Sequence, residues 1–142
     1  MNEYGINALF VGMQESFQKI ITEEMEQSFR QITGDINPMH QDDSFAAEVG
    51  NGKFSSHVTF GMLTASLYST LAGVYLPGKY SLIHSLEELK FLKPVFAGDT
   101  LTVCGEVSDI DPALKLLHLK LSIKNQHNQF VSKAKMKVLV LK

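Results

Sequence analysis

The sequence contains a single cysteine, Cys104, so no disulfide can form within the chain. Cys104 lies in an alternating apolar segment with no neighbour that would activate a thiol, and we expect a small buried hydrophobic residue. There is only one arginine, Arg30, and the formal net charge is -2. Nucleic-acid binding needs a cluster of cations, and no basic run supplies one. Lys133, Lys135 and Lys137 alternate along one segment and are interpreted as a solvated strand face.

Long apolar runs are also missing. No segment approaches the roughly 20 apolar residues of a membrane-spanning helix. The N-terminus, MNEYGINALF, carries an acid and lacks the basic start of a signal peptide. We therefore expect a cytoplasmic protein. The 142 residues are 44% hydrophobic and 20% charged, which predicts one soluble domain over residues 1–142 with a core of its own.

The first third of the chain predicts a strand, a short helix and a turn-rich loop. Residues 11–21, VGMQESFQKII, alternate loosely and favour a strand. Thr22, followed by two glutamates, is typical of a helix N-cap, and Gly34 ends that helix. The loop reads GDINPMH over residues 34–40. Residues 41–49 predict one or two further helical turns.

The strongest structural signal is the uncharged segment TFGMLTASLYSTLAGVYL at residues 59–76. A helix that is apolar on nearly every side is normally buried inside a domain. Pro77 and Gly78 end it. Ser66 and Ser69 are interpreted as packing residues that bond back to the helix.

The remainder of the chain reads as strands at residues 80–92, 100–110, 114–125 and 129–141, the last two forming a hairpin. The residues of the last strand predicted to face the core are Phe130, Ala134, Met136, Val138 and Val140. One buried helix followed by antiparallel strands predicts an α+β fold in which the sheet wraps around the helix.

The turn-rich loop belongs to a longer motif. Residues 29–40 read FRQITGDINPMH and are followed after five residues by Ala46. This stretch resembles the signature of (R)-specific enoyl-CoA hydratases of the MaoC-like group. GML at residues 61–63, LPG at 76–78 and FLKPVFAGD at 91–99 resemble the same group and occur in the right order. The Asp-x-Asn-Pro-x-His piece is specific, whereas the Pro-Val-x-x-Gly-Asp turn is shared more widely among hotdog proteins.

The resemblance implies a hotdog fold, with a curved antiparallel sheet around one long central helix. It implies that Asp35 and His40 are the catalytic pair, and that the backbone N–H of Gly61 holds the thioester oxygen. Many relatives have histidine immediately before this glycine, where this chain has Phe60. Because the glycine N–H polarises the substrate, we expect activity to survive this difference.

Other residues are expected to border the substrate or to shape the loop. By the resemblance, Ser69 lines the acyl pocket, and Phe60 and Met62 flank the oxyanion position. Asn37 is counted with these three among the substrate-binding candidates, and its side chain is expected to bond to the backbone of its own loop, as asparagine does in turns. Pro38 fixes one backbone dihedral and keeps Asp35 and His40 in register. The resemblance implies no metal and no redox cofactor, with coenzyme A as part of the substrate.

The chemistry of hydration needs these residue types. Water must attack the β-carbon of a trans-2-enoyl thioester while a proton reaches the α-carbon, which calls for a positioned base and a proton donor. Negative charge builds on the thioester oxygen, and a backbone N–H at a helix N-terminus stabilises it. Read alone, GDINPMH is more often a turn than a site, because glycine, aspartate, asparagine and proline are all turn residues. The long match around the loop and the buried helix reverse this expectation and favour a catalytic pair.

Several alternatives stay open at this stage. The fold also supports thioesterases, which attack the carbonyl carbon, and a non-catalytic acyl-binding module would tolerate Phe60. An acidic acyl carrier protein instead of coenzyme A would need cations such as Lys53, Lys90 and Lys93. A free sheet edge and a tunnel mouth favour at least a homodimer.

Other candidate residues are assigned ordinary roles. His40 with Asp42, Asp43 or His57 shows no metal-ligand spacing. The remaining histidines, which are His57, His84, His118 and His127, are interpreted as surface or strand residues. Glu87 and Glu88 are a conceivable carboxylate pair, but a solvated edge or a subunit contact is favoured.

Overall fold

A computed structural model of the protein describes all 142 residues. Five strands form one antiparallel sheet in the order β1-β3-β4-β5-β2. The strands are β1 (Gln14–Ile20), β2 (Ser81–Phe91), β3 (Thr100–Asp111), β4 (Leu116–Lys124) and β5 (Phe130–Val140). The helices are α1 (Glu23–Thr33), α2 (Asp43–Val49) and α3 (Gly61–Thr70). A π-helical turn, Leu71–Tyr75, extends α3.

Local signals set both ends of α1, as the sequence predicts. The Thr22 hydroxyl accepts the N–H of Met25 at 3.2 Å, so it satisfies one of the free donors of the first turn. Gly34 ends the helix in the left-handed conformation, at φ +71°. The loop that carries Asp35 and His40 therefore leaves α1 in a defined direction.

The helix α3 is buried on the inner face of the sheet. Tyr68 is fully buried, and its hydroxyl donates to Ser132 Oγ on β5 at 2.9 Å. In the π-helical turn, Leu71 is also fully buried and packs directly on Gly105 of β3, where an added Cβ would overlap the leucine side chain. Glycine at this position lets the helix and the sheet approach closely.

The inner face of β3 agrees with the predicted alternation. Leu101, Val103 and Val107 are fully buried, and Gly105 lies among them. The expectation of a buried Cys104 is wrong: this thiol is half-buried on the opposite face, between neighbours Ser16 and Ser122 on the adjacent strands. Successive residues of a strand point to opposite faces, so Cys104 cannot share the inner face with Val103.

In β5 the prediction fails at one residue. Ala134, Met136, Val138 and Val140 are buried as expected, but Phe130 is 37% exposed. The pairing of β4 with β5 shifts by one residue here, so Val131 is buried and Phe130 is turned outward. The lysines on the outer face cover the ring, with Lys133 Nζ 4.1 Å and Lys124 Nζ 4.6 Å from its centroid.

This α+β arrangement of a curved antiparallel sheet around one central helix is the hotdog fold. Lys135 and Lys137 pair with Glu88 and Glu87 at 3.3 and 3.2 Å, so these two glutamates belong to an exposed ladder on the sheet. None of the helices has both the length and the apolar character required to cross a membrane. The expected extent of the domain and the cytoplasmic location stay predictions.

Candidate active site

Two consecutive Asx turns shape the loop between α1 and α2. Asp35 Oδ1 accepts the N–H of Asn37 at 3.0 Å, and Asn37 Oδ1 accepts the N–H of Met39 at 2.9 Å. Pro38 opens a short 3-10 turn that ends at His40. Each side-chain oxygen replaces a backbone partner that the loop lacks, so the turn is stiff without being part of a helix or strand. Asn37 is thereby committed to the backbone of its own loop, as predicted.

The imidazole of His40 is fixed by the segment that precedes α3. Its Nδ1 lies 2.6 Å from the carbonyl oxygen of Val58, and the N–H of Val58 donates to the Met39 carbonyl at 2.9 Å. A carbonyl oxygen only accepts, so Nδ1 carries a proton, and the neutral tautomer that this bond selects has its lone pair on Nε2. No protein group bonds to Nε2.

Packing also fixes the position of the His40 ring. The ring of Phe60 lies 4.3 Å from it, centroid to centroid, and is nearly fully buried. Arg30 donates from Nη2 to the His40 carbonyl at 3.2 Å, and its guanidinium carbon lies 5.9 Å from the centroid of the Phe60 ring. The buried ring of Phe60 therefore packs against the imidazole and restricts its position.

The N-terminus of α3 has no side-chain cap. Phe60 occupies the N-cap position and offers no acceptor atom. The N–H of Thr64 bonds to the Phe60 carbonyl, but the N–H groups of Gly61 and Met62 have no backbone acceptor. Free N–H groups at a helix N-terminus attract an anion or a polarised carbonyl oxygen.

Asp35, His40 and the start of α3 line one cavity. Its volume is about 470 Å³, and Asp35, His40 and Gly61 all border it. The other lining residues are Phe29, Thr33, Phe60, Met62 and Phe91. A neighbouring apolar cavity of about 360 Å³ shares His40, Gly61 and Phe91 with the first. The two cavities offer a mostly apolar channel past an acid, an imidazole and free amide groups.

The residues expected to border the substrate do not all lie there. Phe60 and Met62 line the cavity with Gly61. Ser69 is exposed on α3 and lines neither this cavity nor its neighbour, so nothing in a single chain places it at the site. Ser66, in the second turn of the helix, bonds back to the Leu63 carbonyl at 2.6 Å, as predicted.

Next to this site lies a cluster that the sequence interpretation missed. Glu26 on α1 is only 2% exposed, and its carboxylate accepts the hydroxyl of Thr59 and lies 2.8 Å from Nε2 of His57. The Nδ1 of His57 lies 2.6 Å from Asp43 Oδ1. His57 is therefore not an ordinary surface histidine. The signal for this cluster was Glu26 itself, which stands three residues before Phe29 on the inward face of a helix.

The surroundings of His57 favour its charged form. Burial alone lowers the pKa of the imidazole, but hydrogen bonds to Asp43 and Glu26 outweigh burial and raise the pKa above its ordinary value of 6.5. The pKa of the Asp43 carboxyl is lowered, first by the backbone N–H of His57 and then by its imidazole. The structure contains no group of three or more histidine, cysteine, aspartate or glutamate side chains arranged to hold a metal ion.

The fold and the site together define a hotdog domain with an acid-imidazole loop at the start of its central helix. Residues 11–124 match the family model described as MaoC like domain. The chain is 39% identical over 101 residues to the (R)-specific enoyl-CoA hydratase of Aeromonas caviae, covering 71% of this chain and 72% of that protein. It belongs to the MaoC-like domain family.

Other relatives agree with this membership. The chain is 36% identical over 104 residues to 3-hydroxybutyryl-CoA dehydratase of Methylorubrum extorquens, a match that spans 73% of this chain and less than two thirds (64%) of that protein. The solved structure of the (R)-hydratase from A. caviae involved in PHA biosynthesis superimposes with a TM-score of 0.86 at 32% identity, covering 94% of this chain and 98% of that one. These relatives carry the names of hydro-lyases.

Proposed function

We propose that the protein reversibly hydrates a trans-2-enoyl-CoA to the (R)-3-hydroxyacyl-CoA. The observation that carries the proposal is the shared cavity, where Asp35 and His40 border the same space as the free N–H of Gly61. The names of the relatives supply the reaction class, and the reactivity of these three groups agrees with it.

Asp35 and His40 are proposed to hold one water between them. Nε2 of His40 is unprotonated in the neutral ring and is free to accept a proton. Asp35 Oδ1 is engaged by Asn37, which leaves Oδ2 for the water. The water oxygen bonds to the β-carbon, one of its protons goes to the pair, and a proton is delivered to the α-carbon. One water is added and no redox equivalent is consumed.

Gly61 is proposed to stabilise the negative charge that forms on the thioester oxygen. Its N–H and that of Met62 open α3 without an acceptor. The partial positive charge of the helix start acts in the same direction, and loss of one such donor typically costs about 3 kcal/mol of transition-state stabilisation. The flanking rings of Phe60 and Phe91 keep the surroundings apolar, which strengthens this interaction.

A homodimer is proposed as the working form. β2 is an edge strand of the sheet, with one side unpaired and with Leu82, Ile83 and Leu86 exposed on it. Asp35 is exposed in a single chain, whereas hydration chemistry profits from a site shielded from bulk water. A second copy that extends the sheet across β2 satisfies the free edge.

The test is a hydration assay on short and medium enoyl-CoAs that follows the loss of the enoyl absorbance. Asp35→Asn and His40→Gln should each reduce kcat by about 100-fold or more while the fold is kept. Asp109→Asn, which removes an exposed carboxylate on β3 that forms no hydrogen bond or ion pair, is the matched control and should keep wild-type activity. Full activity in Asp35→Asn or His40→Gln would contradict the assigned pair.

The reaction product distinguishes the proposed hydratase from the two alternative functions. Release of free thiol from an acyl-CoA, with no change in the enoyl absorbance, would identify a thioesterase on this fold. Retention of acyl-CoA of several chain lengths without turnover would identify a binding module.

A further inference from the structure

The segment that connects the loop to α3 is held from two directions. On one side, the carboxylate of Glu26 binds the side chains of both His57 and Thr59. On the other side, Val58, which lies between these two residues, donates its N–H to the Met39 carbonyl and accepts a hydrogen bond from His40 Nδ1 with its own carbonyl. Residues 57–59 thus form a bridge whose middle carbonyl orients the imidazole of the proposed site.

This arrangement favours the charged form of His57. Both of its ring nitrogens lie at hydrogen-bond distance from carboxylate oxygens, at 2.8 Å from Glu26 and 2.6 Å from Asp43. Two ionised carboxylates only accept, and a doubly protonated ring satisfies both of them, in agreement with the raised pKa of this imidazole. The other charged groups around the same polar cavity are Glu23 and Arg30 on α1 and Asp42 at the start of α2.

The burial of Glu26 makes the bridge obligatory. A carboxylate that is 2% exposed is costly unless it is paired and hydrogen-bonded. Glu26 meets this need only through His57 and Thr59, the two residues on either side of Val58. The ion pair, which lies outside the proposed catalytic cavity, therefore helps to fix the position of Val58, together with the bonds from the N–H of Thr59 to the Val95 carbonyl and from the N–H of His57 to Asp43.

We infer that Glu26 and His57 are positioning residues for the proposed reaction: they fix the Val58 carbonyl, which holds His40 with its proton on Nδ1 and Nε2 directed to the substrate water. This inference rests on the proposed function. It assigns a role in hydration to two residues that do not touch the substrate. Thr59, which Glu26 also binds, is separated from Gly61 by a single residue, so the same contact also helps to position the start of α3.

The central variant is Glu26→Gln, which keeps the shape of the side chain and removes its charge. Glu23→Gln is the matched control, since Glu23 lies one helical turn earlier, borders the same polar cavity and makes no recorded bond to His57. Glu26→Gln should lower kcat for crotonyl-CoA by about tenfold or more, because small displacements of a catalytic group are costly. KM should stay within about twofold, since substrate contacts are unchanged.

Nitrogen NMR of the histidine rings measures which ring nitrogens of His40 and His57 carry a proton. In the wild type, the pKa of His57 should lie above its ordinary value of 6.5, and the His40 ring should carry its proton on Nδ1. In Glu26→Gln, the His57 nitrogens should titrate at lower pH, and the Nδ1–H signal of His40 should shift or broaden. The basic limb of the kcat profile should move to lower pH in the same variant, since the charged form of His57 is lost sooner.

Two variants of Thr59 test the same inference if Glu26→Gln does not fold. Thr59→Ser keeps the hydroxyl that Glu26 accepts and should stay near wild-type turnover, whereas Thr59→Val removes it and should lose kcat. The inference would be overturned if folded Glu26→Gln kept the wild-type kcat, the wild-type pH dependence of kcat on the basic side and the wild-type His40 signals. Equal activities of the two Thr59 variants would also overturn it. If the wild type hydrates no enoyl-CoA, the proposed function fails, while the His40 signals still decide whether Glu26 positions the ring.

Discussion

His40 Nδ1 and the carbonyl oxygen of Val58 lie 2.6 Å apart, across 18 residues of sequence. This bond joins the turn-rich loop to the segment that leads into α3. It sets the tautomer of the imidazole, and it couples the acid-imidazole loop to the amide groups of the helix start. A change in the geometry of this bond would therefore affect both the acid-imidazole loop and the amide groups at the start of α3.

Two amide substitutions of His40 separate its structural role from its chemical role. His40→Asn places an N–H near the position of Nδ1 and should keep the bond to Val58, whereas His40→Gln should lose it. Both should lose turnover by about 100-fold or more, because neither amide is a base. In urea unfolding, His40→Gln should be less stable than His40→Asn by about 1 kcal/mol. Equal stabilities would show that the Val58 bond contributes nothing to folding.

The buried bond from Tyr68 to Ser132 should be visible in stability. Tyr68→Phe leaves the Ser132 hydroxyl without its partner and should cost about 1–3 kcal/mol in the free energy of unfolding. Adding Ser132→Ala should recover part of that loss, since no polar group is then left buried. Tyr75→Phe, at a half-buried ring whose hydroxyl makes no recorded bond, is the control. A double variant no better than Tyr68→Phe would contradict this explanation.

The same tyrosine predicts a pH dependence. Burial raises the pKa of Tyr68 to about 12 from the ordinary value of 10.0, although the Ser132 bond lowers it. The unfolded chain releases this proton first, so the stability is fully present below pH 10 and falls as the pH rises toward 12. The urea concentration at the midpoint of unfolding should fall as the pH is raised past 10. This fall should be larger in the wild type than in Tyr68→Phe.

Gly105→Ala should destabilise the protein by about 1–3 kcal/mol without changing kcat/KM. The added methyl group overlaps the side chain of Leu71, which is fully buried, so the core must shift to accommodate it. Gly73→Ala is the matched glycine, because its nearest atom is Ser81 Oγ at 3.9 Å and its backbone is helical. That variant should be neutral or more stable, since alanine favours helix. Thermal unfolding of both proteins distinguishes close packing from a general effect of methyl groups.

The proposed dimer predicts a particle of twice the 15.8 kDa chain mass in sedimentation velocity. Replacing both Leu82 and Leu86 of the edge strand by glutamate should give monomers with reduced turnover, because like charges would face each other across the joined edge. Leu114→Glu introduces the same charge at an exposed leucine in the turn between β3 and β4 and should stay dimeric. A monomeric wild type at micromolar concentration would contradict the dimer.

Much of the fold could be read from local patterns. The alternation of β3, the capping of α1 by Thr22 and Gly34, and the uncharged run of α3 were all predicted and confirmed. These features depend on side-chain periodicity and on turn chemistry within a few residues. The prediction for Phe130 failed because a single shift in strand pairing reverses the face, and such a shift leaves no trace in one strand's own sequence.

By itself, the sequence determined the class of the protein: the buried helix, the antiparallel strands, and the loop with Asp35 and His40. Only the tertiary structure decided that this loop lies beside Gly61, that Val58 sets the His40 tautomer, and that Glu26 and His57 meet. The physical reason is distance along the chain. Residue type and spacing encode local geometry, but Glu26 and His57 are 31 residues apart, and their pairing exists only once α1 packs against the segment before α3.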